Sequence, residues 1–88
     1  MAAYGTKTVT TSATEIVAQA KNRRQAVLII NNSSEVLYIG FDTNVTSSNG
    51  FQLQEDQSWV SSGMQVYQGP VYGITAANTA DVRYQDLG

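Results

Sequence analysis

The apolar residues of the chain fall in short runs separated by polar, turn-forming stretches. The densest pair is VLIINNSSEVLYIGF, Val27 to Phe41, in which two apolar runs flank a wholly polar break. Short runs rich in Val, Ile and aromatic residues predict strands, and the polar stretches between them predict turns. We therefore expect Arg24–Asn31 and Val36–Phe41 to be two core strands, joined as a hairpin through NNSSE.

The rest of the chain repeats this pattern with shorter runs. The best helix candidate, Ala13–Lys21, is equally good as a strand, and the β-like chain around it favours the strand. Close-spaced short strands, with the one proline in a turn, are typical of an antiparallel sandwich or barrel. The further strands expected are Thr6–Thr11, Phe51–Leu53, Ser58–Ser61, Gln65–Tyr67, Val71–Ala76 and Ala80–Gln85.

This pattern predicts an all-β fold. Residues 13–88 are expected to form a single compact antiparallel β-sandwich or barrel-like domain, and residues 1–12 an extended N-terminal arm or an edge strand.

Two-residue alternation indicates which strands have a solvent-facing side. In the last strand Ala80, Val82 and Tyr84 share one side, and charged or polar residues share the other. Val27–Ile30 and Leu37–Ile39 are apolar on both sides, so either the sheet curls tightly or another protein covers the second side. The residues expected in the core or scaffold are Val27, Leu28, Ile29, Ile30, Leu37, Tyr38, Ile39, Trp59, Tyr72, Ile74, Val82 and Tyr84.

Length and composition limit the classes of function. A single domain of 88 residues buries only about 60% of its unfolded surface, and small domains of this kind often gain stability by associating. With no cysteine and no histidine, the chain lacks the residues for disulfides, Cys-based zinc sites and Ser–His catalysis. The net charge of −2 argues against nucleic acid as a partner. No apolar run approaches the roughly 20 residues of a membrane span, and the start lacks a secretory leader pattern, so we expect synthesis in the cytoplasm.

The carboxylates and loops do not suggest a chemical site. Glu55 and Asp56 are adjacent, so in a strand they would face opposite sides and could not flank one bond. The loop Asp42–Gly50 begins like a calcium loop but has Ser47 at its sixth position and Leu53 at its twelfth, where that loop needs Gly and Glu. We expect a surface loop that satisfies its own backbone, and we expect no catalytic, cofactor or metal residues.

Partner contact is the remaining class of role. The basic run KNRR, Lys21–Arg24, is either a solvated start to the strongest strand or a contact patch for an acidic partner. The Thr-rich residues 1–12 suit an arm that pairs with a partner. The candidate partner-contact residues are Tyr4, Lys7, Lys21, Arg23 and Arg24.

The packing and turn residues resemble a known group of proteins. N-R-R-x-x-V-L-I-I-N-N-S-S-x-x-L-Y-I-G-F is followed by V-T…N-G-F-x-L, S-W, Y-x-G-P-V-Y-G-I-T and A-D-V-R. This order, over Asn22 to Tyr84, resembles small β-sandwich structural proteins of tailed bacteriophages.

The resemblance implies a virion structural role without an active site. The expected function is a capsid decoration (cement) protein on the outer surface of the phage head. It would bind the major capsid protein and stabilise capsomer junctions, as a homo-oligomer, with a trimer favoured. The alternative is a carbohydrate- or receptor-binding module of a head fibre, tail or baseplate, which would need exposed aromatic rings such as Trp59.

Overall fold

The computed structural model describes residues 3–88, which form eight β-strands. Residues 3–88 include no helix long and apolar enough to cross a membrane. The strands are β1 (Ala3–Val9), β2 (Thr14–Val17), β3 (Ala26–Asn31), β4 (Leu37–Gly40), β5 (Phe51–Leu53), β6 (Ser58–Ser62), β7 (Val71–Ile74) and β8 (Ala80–Asp86).

The strands form two four-stranded antiparallel sheets. The first sheet has the order β1-β8-β3-β6, and the second has the order β2-β7-β4-β5. The predicted all-β, antiparallel sandwich is confirmed. Ala3–Val9 form an edge strand that pairs with β8 along its full length, while Met1 and Ala2 lie outside the described residues.

The hairpin expected between the two strongest apolar runs is wrong. β3 belongs to the first sheet and β4 to the second, so NNSSE is a corner between sheets. The buried side chain of Asn31 fixes this corner: its Nδ2 donates to the Glu35 carbonyl at 2.7 Å and to the Leu53 carbonyl at 2.8 Å. Its Oδ1 accepts from the backbone N–H of Ser33 at 3.2 Å. The buried Asn31 side chain thus supplies hydrogen bonds to backbone groups on both sides of the corner.

Each strand contributes one side to the core. In β3, Val27 and Ile29 are buried, whereas Leu28 is half-buried and Ile30 is exposed. Of the other expected core residues, Leu37, Ile39 and Val82 are buried, and Trp59, Tyr84, Tyr38, Tyr72 and Ile74 are half-buried. Further buried apolar residues come from strands that looked weaker in sequence: Val9, Ile16, Val17, Leu53, Val71 and Ala80.

Gly73 in β7 leaves space that side chains of the two neighbouring strands fill. A Cβ atom on Gly73 would lie 2.8 Å from the Ile16 Cδ1 atom and 3.0 Å from the Leu37 Cδ1 atom. Side chains from both neighbouring strands therefore use the space that a larger residue would occupy.

The strand expected at Gln65–Tyr67 is wrong. These residues belong to the loop between β6 and β7, which folds back toward the core with Val66 buried. The backbone N–H of Tyr67 donates to the Ser61 hydroxyl at 2.8 Å, and the Tyr67 hydroxyl donates to the Pro70 carbonyl at 2.7 Å. These side-chain hydrogen bonds satisfy backbone groups of the loop that a strand would have paired with a neighbouring strand. The strand favoured over a helix near Ala13–Lys21 is present as β2.

Candidate functional site

Two rows of side chains cross the solvent-facing side of the first sheet. The sheet's register places Leu28 and Ile30 on this side, opposite to the buried Val27 and Ile29. We call this surface the outer face. Its rows are Tyr4, Gln85, Leu28 and Val60, and beside them Thr6, Arg83, Ile30 and Ser58.

The outer face is rich in exposed apolar groups. Tyr4 is 79% exposed, Val60 50% and Ile30 37%. A depression of about 580 Å³ lies among Tyr4, Leu28, Ile30 and their neighbours. Arg83 is the one charged residue in its lining, and its guanidinium lies 3.7 Å from an Asp81 carboxylate oxygen. A surface that combines exposed apolar side chains with a single cation in the lining of its depression suits contact with another protein better than it suits a reaction.

A cluster of three aromatic rings joins the two sheets along one side. The ring centroid of Phe41 lies 4.7 Å from that of Tyr67 and 5.7 Å from that of Trp59. The rings are tilted by 50°, 51° and 82° to one another, so they do not form a flat platform. Burial raises the pKa of Tyr67. Phe41 is 49% exposed, and Trp59 is half-buried behind it.

Arg23 lies inside the domain. It is 1% exposed, and its Nη1 donates to the carbonyls of Tyr67 at 2.6 Å and Gly69 at 3.4 Å. Its Nη2 donates to the Ala18 carbonyl at 3.2 Å and to the Asp86 carboxylate at 2.8 Å. This hydrogen bond from Arg23 lowers the pKa of Asp86, and burial works in the opposite direction. We call this set of bonds the Arg23 clamp.

The structure separates the five candidate contact residues. Arg23 is corrected to a structural residue, because its buried guanidinium already binds four acceptors and is not available to a partner. Lys21 and Arg24 are exposed in the connection between β2 and β3. Tyr4 and Lys7 are exposed on β1, and only Tyr4 belongs to the outer face.

The loop Asp42–Gly50 uses its side chains on its own backbone. The backbone N–H of Asn44 donates to the Asp42 carboxylate at 2.9 Å, and that of Thr46 donates to the Asn49 side-chain oxygen at 2.7 Å. Among residues 3–88, no cluster of three or more Asp and Glu residues is placed to hold a metal ion.

Sequence reasoning placed Leu28 and Ile30 in the scaffold without finding the surface that they form. The alternation of residues along Val27–Ile30 showed that this strand is apolar on both sides. Only the register of the sheet brings Tyr4 and Val60 into one row with Leu28. In comparisons with known proteins, no family model, no curated protein and no solved structure matched the chain.

Proposed function

We propose that the chain is a non-enzymatic structural protein of a bacteriophage virion, a capsid decoration (cement) protein that binds the assembled head. The observation that carries the proposal is the outer face, where Tyr4, Ile30 and Val60 are exposed together. Exposed apolar side chains gathered on one surface favour an interaction role. The resemblance of Asn22 to Tyr84 to phage structural proteins supports this choice of partner.

The mechanism follows from mass action. A protein that binds the assembled shell and not its separate subunits stabilises the shell, and it needs no reaction for this. The major capsid protein would cover the outer face, and one of its carboxylates would meet Arg83 in the lining of the depression. The decoration protein would then lie on the outer capsid surface, as a homo-oligomer, after synthesis in the host cytoplasm.

The test is co-sedimentation of the purified protein with empty phage heads. Val60→Lys places a charge in the outer face, and we expect it to weaken binding about tenfold or more, which corresponds to about 1.4 kcal/mol. Met64→Lys is the matched control, since Met64 is fully exposed in the loop after β6 and lies off the outer face. If the wild-type protein does not sediment with heads, or if both variants bind as it does, the proposal is wrong.

A carbohydrate- or receptor-binding role is the second candidate. The observation in its favour is the half-exposed ring of Phe41, which packs against the rings of Trp59 and Tyr67. A single exposed ring can stack on a sugar face. On a glycan array, this role requires binding that Phe41→Ala abolishes and Val60→Lys leaves unchanged, and decoration of the head requires the reverse pattern on capsids.

A further inference from the structure

β1 differs from the other strands that lie at sheet edges. It has seven residues and pairs with β8 from Ala3 to Val9 with no shift in register. The other edge strands, β6, β2 and β5, have five, four and three residues. β2 is also interrupted by a register shift between Glu15 and Val17.

The free side of β1 carries few of the features that normally keep sheet edges apart. Natural edge strands are usually short, bulged, or marked with proline and inward-pointing charges. β1 has no proline and no bulge, and the one such feature that it carries is Lys7, a charged residue on the same side of the strand as the buried Val9. Within residues 3–88, it takes part in no backbone hydrogen bond outside its pairing with β8. A second strand could therefore pair along the whole of its free side.

We propose that β1 is a self-association edge: two copies of the chain pair their β1 strands antiparallel about a two-fold axis at Thr6. Thr6 is the midpoint of Ala3–Val9, so this register pairs all seven residues of each strand. The two first sheets would then form one continuous eight-stranded sheet. An isologous contact of this kind closes at two copies and does not propagate into a fibre.

The side chains of β1 are self-complementary in this register. Thr6 faces Thr6 of the second copy, and Tyr4 faces Thr8 of the second copy; both are favourable kinds of cross-strand pair. Lys7 faces Gly5 of the second copy. A Cβ atom on Gly5 would lie 3.2 Å from the Tyr84 hydroxyl, so the tyrosine ring lies beside this glycine and can receive the ammonium group.

Alternative registers fit less well. Pairing about Lys7 would place two ammonium groups directly opposite each other, which is destabilising. Among the described residues, pairing about Gly5 would match only Ala3–Lys7, five residues of each strand instead of seven. Charge placement and strand length therefore favour the Thr6 register.

Cysteine cross-linking tests the register directly, because the chain has no cysteine of its own. Facing residues of an antiparallel pair have Cβ atoms about 4.5–5.5 Å apart, close enough for a disulfide after a small adjustment. We expect Thr6→Cys to form a disulfide-linked dimer under mild oxidation. Thr8→Cys alone should not, since its two copies would lie about 13 Å apart along the strands. A mixture of Thr8→Cys and Tyr4→Cys should cross-link.

Light-scattering mass tests the association without new cysteines. The wild-type protein should have the mass of two chains, and Thr6→Lys should raise the dimer dissociation constant about tenfold or more by placing two like charges opposite each other. Thr43→Lys, in an exposed loop, is the matched control and should stay dimeric. A one-chain or three-chain mass for the wild type, or equal cross-linking of Thr6→Cys and Thr8→Cys alone, would overturn the proposal. Neither assay uses phage heads, so this proposal and the decoration role can fail separately.

Discussion

Arg23 belongs to the basic run Lys21–Arg24, which was expected to face solvent or a partner, but Arg23 itself is buried. It is followed by the exposed Arg24, yet its own guanidinium is buried with four acceptors. The pairing with Asp86 offsets the cost of removing two charges from water. The Arg23 Nε–H has no hydrogen-bond partner within residues 3–88. An unpaired buried donor of this kind costs about 1–3 kcal/mol, which reduces the stabilisation from the Arg23–Asp86 pair.

Replacing Arg23 should therefore affect stability far more than replacing its neighbour. Arg23→Ala leaves the Asp86 carboxylate buried without its cation, and we expect a loss of about 3–5 kcal/mol in the free energy of unfolding. Arg24→Ala removes an exposed side chain and should change it by less than about 0.5 kcal/mol. Urea unfolding of the two variants measures both values, and similar losses would contradict a structural role specific to Arg23.

At the scale of elements, one buried side chain bonds across the corner after β3. Asn31 holds the chain between sheets by donating to the carbonyls of Glu35 and Leu53. Asn31→Ala should cost about 2–3 kcal/mol in unfolding free energy, because buried carbonyls lose their donor. Asn32→Ala is the control: Asn32 is exposed, its bond to Asp81 lies at the surface, and the expected loss is below about 0.5 kcal/mol. Equal midpoints of thermal unfolding for the two variants would exclude this role of Asn31.

The positions of most strands along the chain were predictable from sequence, but the path of the chain between the sheets was not. Apolar runs bounded by turn residues located β5 and, within one or two residues, β3, β4 and β8. The alternation of apolar and polar residues does not distinguish a hairpin from a corner between sheets. In both cases a strand with one buried side leads into a polar turn. The chain changes sheet at six of its seven connections. The assumption that neighbouring strands in sequence pair as a hairpin therefore failed at VLIINNSSEVLYIGF.

The outer face and the Arg23 clamp were hidden from sequence for related reasons. Both depend on residues far apart in the chain: Tyr4 lies in the same row as Leu28 and Val60, and Arg23 is bound to Asp86. A basic run such as KNRR predicts solvent exposure from its average polarity. Only the three-dimensional structure shows that one member of the run is turned inward among carbonyl groups.

At the scale of the whole molecule, the Arg23 clamp closes one end of the sandwich. Ala18 directly follows β2 of the second sheet, and Asp86 is the last residue of β8 in the first sheet, so Arg23 links the end of one strand to the segment that follows the other. The Gly88 carbonyl beside it accepts from the backbone N–H groups of Arg24 at 2.9 Å and Gln25 at 2.7 Å. The end of the chain is thereby tied to the start of β3, and the stability of this end depends on the charge of one carboxylate.

Stability should therefore fall in acid through Asp86. The hydrogen bond from Arg23 lowers the pKa of Asp86 in the folded protein, while in the unfolded chain the group titrates near its ordinary pKa of about 3.9. The carboxylate contributes fully above that value, and its contribution is lost as the pH falls through the lower folded pKa. Asp86→Asn should reduce the free energy of unfolding at neutral pH and flatten its dependence on pH below the ordinary pKa of the carboxyl group. Glu55→Gln, which removes one exposed charge, should keep most of the wild-type slope. Urea titrations across this range measure the slopes, and an Asp86→Asn slope equal to that of the wild type would show that Arg23 stabilises the fold without linkage to Asp86 ionisation.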